Sequence, residues 1–276
     1  MASWSRVVLG VALAACLSGS SLSLAQAPPA AQATEQQIYE KFRAWRTRQP
    51  PAPQTEILEK YRALLAAEGL AAVEIDRQVR IVTEQGQRLE IERWNRILTA
   101  PAPQFNTRPN AFLVEMTKGV TAGKALDVGM GQGRNAIYLA QQGWDVTGFD
   151  PADKAVAVAQ EQARGLGVKL NALVLRDDQF NFGTEQWDLV VLSYISPRPL
   201  VPWVYDALRP GGLVVVEGFH RDATKTASIG GGVVFDTNEL LTLFNRFRIV
   251  RYEDSEGVAD FGLEKTRVVR LAAQKP

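Results

Sequence analysis

Three glycines at alternate positions, Gly129, Gly131 and Gly133, follow the apolar run Ala125-Leu126-Asp127-Val128 and precede Arg134-Asn135. Absent side chains let a ligand lie directly on the backbone. A helix starting just beyond such a turn offers free N–H groups to an electron-rich ligand group. The pattern reads as a buried parallel strand handing over to a helix across a gap of cofactor size. Asp150 ends a second apolar run, Val146-Thr147-Gly148-Phe149, where a carboxylate can hold both hydroxyls of a ribose. Turn and carboxylate together point to a nucleoside cofactor. A dinucleotide fingerprint would put a third glycine at position 134, which is Arg134, so a nicotinamide-dependent reductase is the weaker reading.

Groups able to move a proton are few. His220, the one histidine, lies just past the apolar run Leu213 to Glu217, at the sheet edge where ligands bind in such folds. It could deprotonate a hydroxyl or a thiol; Glu217 and Tyr194 are comparable catalytic candidates, and each has a purely structural alternative. Lys225 and Gly230-Gly231-Gly232 sit in a loop able to act as a lid. The single Cys16 excludes an internal disulfide and any CxxC metal site, and one histidine excludes a His-rich one, so no metal is expected. Net charge is +1, with no run of five like charges, which speaks against nucleic acid or an anionic membrane as partner and for a small-molecule substrate.

The elements that must position these residues alternate from Asn110 onward, implying an α/β fold with a parallel sheet covered on both faces. Strands are expected at Leu126-Asp127-Val128, Val146 to Phe149, Leu173-Val174-Leu175, Trp187 to Leu192 and Leu213 to Glu217. Helices are expected over Phe112 to Thr117, Asn135 to Gln142, Pro151 to Leu166, Leu200 to Leu208 and from the cap Asp236-Thr237-Asn238-Glu239 to Asn245. Phe247 to Tyr252 and Arg267 to Leu271 alternate apolar and polar residues, an antiparallel pair at one sheet edge.

Residues 34–109 carry no strand pattern. Thr34-Glu35-Gln36-Gln37 fits a capping box opening a helix to about Gln49, ended by Pro50-Pro51-Ala52-Pro53. A second helix spans Glu56 to Glu68. Ile75, Val79 and Val82 mark a third, and beyond Gly86 the residues Leu89, Trp94, Ile97 and Leu98 continue an apolar face. The expectation is an accessory bundle packed on the main domain in preference to a cap over a pocket. Arg43, Arg46 and Arg48 beside Trp45 could suggest a nucleic-acid patch, but Glu35, Glu40 and Glu56 sit close by, which favours a solvated helix face.

Before this, Arg6, the apolar Val7 to Leu17 and Ala25-Gln26-Ala27 form the three-part pattern of a secretory signal peptide over 1–27, too short to span a bilayer. Leu13-Ala14-Ala15-Cys16 also resembles a bacterial lipobox, so Cys16 is either a lipid anchor point or a small residue of the signal core. Residues 28–33 read as a flexible leader. The expected location is the periplasm or the exterior.

Leu126 to Asn135, Asp150, Asp177-Asp178, Trp187-Asp188-Leu189-Val190-Val191 and Leu208-Arg209-Pro210-Gly211-Gly212 resemble, in order and spacing, the motifs of class I S-adenosylmethionine-dependent methyltransferases. Gly131-Gln132-Gly133-Arg134-Asn135, with Tyr138-Leu139-Ala140 and Asp145-Val146-Thr147, is similar to the tellurite-resistance branch of that class, as is Phe235 to Asp254. The resemblance covers about Asn110 to Lys275. It implies a Rossmann-like seven-stranded sheet, mostly parallel with an antiparallel edge pair, in a domain over 110–276 preceded by the helical region.

It also implies S-adenosyl-L-methionine as cofactor. Asp127, Gly129, Gly131 and Gly133 would surround its methionine part, Asp150 its ribose, and Asp177 or Asp178 its adenine amino group, with Phe180 beside the ring. Arg134 would reach the cofactor or substrate carboxylate or else be a helix-surface charge; Ser193 would close the site, and Asp188 would be structural. Amino-methylating members often carry Asn or Asp, Pro, Pro and an aromatic residue after the fourth strand. Ser193-Tyr194-Ile195-Ser196-Pro197 stands here instead, favouring methyl transfer to oxygen, sulfur or a metalloid over base nitrogen. An exported, non-catalytic binding protein that keeps the fold is the alternative.

Overall fold

The structure is a computed structural model that describes residues 33–49, 52–227 and 229–276. The signal peptide over 1–27, Cys16, all but the last residue of the leader over 28–33 and the Pro50-Pro51 pair lie outside the described residues. Residues 34–276 pack as one compact unit.

Short apolar runs bounded by turns make the strands, and the central ones are buried on both faces. β1 (Lys124–Val128), β2 (Asp145–Asp150), β3 (Leu170–Val174), β4 (Trp187–Ser193) and β5 (Leu208–His220) pair in parallel. β6 (Val234–Phe235), β7 (Arg248–Val258) and β8 (Lys265–Gln274) complete an eight-stranded sheet ordered β3-β2-β1-β4-β5-β8-β7, with β6 paired to β5 beside that path. β8 runs antiparallel to both neighbours. The expected seven strands become eight because Val234-Phe235 pairs with Phe219-His220. Two residues are too short a run to show a period.

Successive residues of β4 feed opposite layers, as strand geometry requires. Val190 and Leu192 pack with Phe235, Leu240 and Phe244, under α7 (Val201–Ala207) and α8 (Glu239–Leu243). Leu189 and Val191 pack with Phe112, Leu139 and Val156 from α4 (Ala111–Thr117), α5 (Arg134–Gln141) and α6 (Asp153–Gly165). Both faces are therefore dry, and polar chemistry is confined to the sheet's ends.

The helical region consists of α1 (Glu35–Arg46), α2 (Gln54–Ala67) and α3 (Ala72–Leu98). Thr34 caps α1 through the expected box: its hydroxyl accepts from the Gln37 N–H at 3.2 Å, and its own N–H reaches the Gln37 side chain at 2.9 Å. α3 runs unbroken for 27 residues through Gly86. A Cβ there would meet the Tyr39 ring of α1 at 3.4 Å, an ordinary van der Waals contact, so the helix carries this glycine without a need for its missing side chain. Among the described residues no helix is long and apolar enough to cross a membrane.

The end of α3 is pinned to the sheet's ligand-binding edge. The Asn95 side-chain amide donates to Asp153 at 2.7 Å and accepts the Lys154 N–H at 3.0 Å, which satisfies the start of α6. The Gln132 amide, inside the glycine turn, donates to the Leu98 carbonyl. The helical region thus ends against the turn, and α3 walls a pocket that the apolar stripe alone did not foretell.

Candidate functional site

β1 ends at Asp127-Val128, and the chain reverses through Gly129, Gly131 and Gly133 with φ of +66°, +55° and +75°. L-residues avoid this left-handed region. Space is refused at Gly129, where a Cβ would lie 2.6 Å from Ile195 Cγ2, and is tight at Gly131, where one would lie 3.3 Å from Leu98. Asp150, at the end of β2, fixes the turn by accepting the Gly131 N–H at 3.0 Å and the Ala152 N–H at 2.8 Å. Burial pushes its carboxyl above the ordinary value, against the pull of those two N–H groups.

Asp127 is 2% exposed, and its Oδ2 has no hydrogen-bond partner. Burial raises its carboxyl from the ordinary 3.8 to about 7, although the nearby Arg134 charge and the Ala136 N–H act the other way. A buried carboxylate oxygen without a donor is costly unless a ligand supplies one. Such an orphan at the foot of a glycine cradle is the local signature of a missing polar partner.

Both carboxylates line a cavity of about 310 Å³, within the range of small-molecule sites. Its floor is the turn, with Asp127, Gly129, Met130, Gly131 and Gln132. Trp94 and Leu98 come from α3, Ser193, Tyr194 and Ile195 from the end of β4, and Phe105 and Phe261 from two distant loops. Phe105 and Phe261 stack at 5.5 Å, and Trp94 meets Phe261 edge-on at 6.2 Å.

Asp260 holds these loops to the turn. Its carboxylate takes a 2.7 Å ion pair from Arg134, a 2.7 Å hydrogen bond from Asn110 and a 2.9 Å one from Asn106, and its N–H donates to the Tyr194 hydroxyl at 2.9 Å. Arg134 is therefore neither a solvated helix charge nor a free ligand group, since it is also bonded to the Arg108 carbonyl at 3.0 Å. Asn135 carries the contact onward, accepting the Asn110 N–H at 2.9 Å and reaching the Ser193 hydroxyl at 3.4 Å.

Residues 125–212 match the family model described as "Methyltransferase domain". The α/β domain is similar in sequence and fold to class I S-adenosylmethionine-dependent methyltransferases. Over 162 residues the chain is 23% identical to the probable S-adenosyl-L-methionine-dependent methyltransferase TehB of Haemophilus influenzae, covering 56% of each. The crystal structure of TehB from that organism superposes with a TM-score of 0.53 at 19% identity, covering 60% of this chain and 62% of that one, a likeness of fold. The chain is also 30% identical over 130 residues to the ubiquinone biosynthesis O-methyltransferase of Photobacterium profundum, covering 45% of this chain and 55% of that protein. Over 163 residues it is 28% identical to Hemagglutinin 1 of Eikenella corrodens, covering 55% and 53%. The chain spans about half the length of the curated relatives it matches.

In the methyltransferase domain, Asp127, Gly129, Gly131, Arg134, Asp150, Ser193 and Tyr194 come together around the cavity. Gly133 stands behind it, where a Cβ would meet Ala159 at 2.9 Å; its role is the approach of α5 to α6. Asp177, Asp178 and Phe180 are not at the cavity. They line a separate depression with Trp203 and Asp206. Arg176 grips Asp178 through two 2.9 Å bonds, and Phe180 stacks on Phe149 at 4.4 Å as part of the core.

The expected proton carriers are corrected by their partners. His220 is buried beyond the cavity: Nδ1 accepts the Asp222 N–H at 3.1 Å, leaving Nε2 to donate to the Thr237 hydroxyl at 3.0 Å. Pairing of β6 alongside β5 closes the edge on which the sequence placed this ring. Glu217 is 1% exposed and faces inward, accepting from the Tyr194 hydroxyl at 2.7 Å and from Arg270 at 2.8 Å. Tyr194 does line the cavity, at a left-handed φ of 57°, yet its hydroxyl is bonded in both directions. Burial and the Glu217 charge push its phenol well above the ordinary value. Asp188 is structural, taking the Lys124 N–H at 2.7 Å and Arg209 at 2.8 Å.

Trp94, Leu98, Phe105, Asp260 and Phe261 were missed from sequence. Only the unbroken helical stripe carrying Trp94 and Leu98 held a signal, and it did not say what the stripe faces.

Proposed function

We propose that the protein transfers a methyl group from S-adenosylmethionine to a small-molecule acceptor at oxygen, sulfur or a metalloid. The observation that carries this is the unpaired, buried Oδ2 of Asp127 over a glycine cradle too tight for side chains. Asp127 would hold the ammonium of the methionine part, and Asp150, fixed by two N–H groups, would keep lone pairs for the ribose hydroxyls. When bound, the cofactor supplies a methyl carbon on a sulfonium, and its passage to a nucleophile leaves the C–S electron pair on sulfur as a neutral thioether.

Trp94, Tyr194 and Ile195 confine the partners beside the turn, and such positioning supplies much of the rate in an in-line displacement. His220 and Glu217 are closed off by their own hydrogen bonds, so the arrangement favours acceptors that arrive deprotonated. The signal-peptide reading adds export to this proposal; mass spectrometry of the mature N-terminus checks it.

A second reading, a binding protein that keeps the fold without turnover, draws on those same closed-off groups and on the likeness to Hemagglutinin 1. Methyl-labelled S-adenosylmethionine, incubated with the full chain and a panel of thiols, phenols, carboxylates and metalloid oxyanions, separates the two. Label in a small-molecule product supports methyl transfer. Tight cofactor binding without product from any of them favours the second reading, and absence of binding overturns both.

A further inference from the structure

A second chamber of about 350 Å³ adjoins the cofactor cavity, and the two share Trp94, Tyr194, Val233 and Phe261 as their common wall. Its apolar body is made of those rings with Phe219 and Ile229, and the glycine-bearing loop after Thr226 forms one side. This is the loop that the sequence marked as a lid.

The far end carries two guanidiniums and the Glu90 carboxylate and is incompletely bonded, since Glu90 Oε2 is also buried without a hydrogen-bond partner. Arg43 of α1 and Arg93 of α3 both line the chamber, and both are largely buried, with side chains 26% and 15% exposed. Nε of Arg43 and Nη1 of Arg93 are buried without a hydrogen-bond partner. Carboxylates are near but ill-placed: Glu40 lies 3.5 Å from Arg43 and 3.8 Å from Arg93, and Glu90 lies 3.5 Å from Arg93. Arg96 also draws on Glu40, at 3.6 Å. Three guanidiniums thus share two carboxylates, and Tyr39 takes part of Glu90 by donating a hydrogen bond to it. Burial and the neighbouring Arg43 charge hold Arg93 below its ordinary value. Glu264 and Lys265 also line the chamber, and Lys265 is paired with Glu256 at 2.9 Å.

Three guanidiniums against two carboxylates leave one positive charge and two open N–H donors at this end, which a further anion would meet. Planar guanidiniums match a carboxylate in particular, with two N–H groups to two oxygens. Arg93 is itself fixed over the Trp94 ring, 4.9 Å from its centroid, so the cationic end and the apolar wall are one rigid surface.

We propose that this chamber is the acceptor site and that it takes an apolar, ring-bearing carboxylic acid. Its carboxylate is received by Arg43 and Arg93, and its body lies on Trp94, Tyr194, Phe219 and Phe261 toward the cofactor cavity. The proposal rests on the methyltransferase reading of the first cavity for the word acceptor, and on nothing in it for the ligand's chemistry.

The test is calorimetry on the full chain with 3-phenylpropionate and its neutral isostere 3-phenylpropanamide, with S-adenosylhomocysteine titrated in parallel. Hydrogen bonds to a charged acceptor are stronger than those to a neutral amide, so the acid is expected to bind at least about tenfold more tightly than the amide. Arg43→Gln and Arg93→Gln, each checked for folding by thermal melting, are expected to remove that preference and leave S-adenosylhomocysteine affinity unchanged. Equal binding of acid and amide, binding of neither, or an acid preference that survives both substitutions overturns the proposal. The comparison on the unsubstituted chain decides the matter even where a variant does not fold. Failure to bind S-adenosylhomocysteine strikes instead at the proposed function and leaves the carboxylate result readable.

Discussion

Asp127→Asn separates stability from binding. Burial lifts the Asp127 carboxyl from 3.8 to about 7, and each tenfold in that equilibrium is worth about 1.4 kcal/mol. Ionised Asp127 therefore costs the folded chain roughly 4 kcal/mol above neutral pH. The folded state keeps a proton that the unfolded chain has already lost between these two values, so this group's contribution falls as pH rises across that window. Asparagine keeps the shape and carries no charge. Urea denaturation of both proteins without ligand is expected to show Asp127→Asn more stable than the parent at pH 8.5. Its relative gain at pH 8.5 should exceed that at pH 5 by about 2.5 kcal/mol.

The same substitution removes the charged partner of the ligand's ammonium, and S-adenosylhomocysteine affinity should fall about tenfold or more. In the parent, binding at pH 7 should release about half a proton, seen as a dependence of the calorimetric heat on buffer ionisation enthalpy. A variant no better stabilised at pH 8.5 than at pH 5, or one that binds as tightly as the parent, refutes the reasoning.

Gly129→Ala places a Cβ 2.6 Å from Ile195 at a left-handed φ, so it should lose upward of about 1 kcal/mol of stability along with measurable S-adenosylhomocysteine binding. Asp260→Asn leaves Arg134 buried without its ion pair, and urea melts should show a loss of about 3 kcal/mol. His220→Gln should keep S-adenosylhomocysteine affinity within about twofold and melt lower, since its ring is bonded outside the cavity and each such bond is worth about 1 kcal/mol. Trp94→Ala removes the wall common to both chambers and should weaken S-adenosylhomocysteine and 3-phenylpropionate together in calorimetry.

What was legible in the sequence was local. The strand, glycine turn and helix around Gly129 to Gly133, and Asp150 at the end of β2, follow from residue type and short spacing, and they carry the cofactor reading. The alternation of strands and helices from Asn110 likewise specified both dry layers of the sheet. Asp260 and Phe261 sit in a loop between β7 and β8 with no periodic signal of its own. They matter only because the hairpin reaches back to Arg134 and Phe105.

Trp94 read as one more apolar residue on a helical stripe, because a period of 3.6 tells which face is buried and not against what. His220 misled for the complementary reason. Its place past β5 is right for a ligand-binding edge, but Thr237 and Asp222, outside that strand, occupy both ring nitrogens.

The turn at Gly129 to Gly133 is read as a nucleoside cofactor site of the S-adenosylmethionine type. Calorimetric titration of the full chain with S-adenosylhomocysteine, and separately with NADH, tests it most directly. One S-adenosylhomocysteine bound per chain and no heat with NADH are expected. Absence of S-adenosylhomocysteine binding, or saturable binding of NADH in its place, would contradict it.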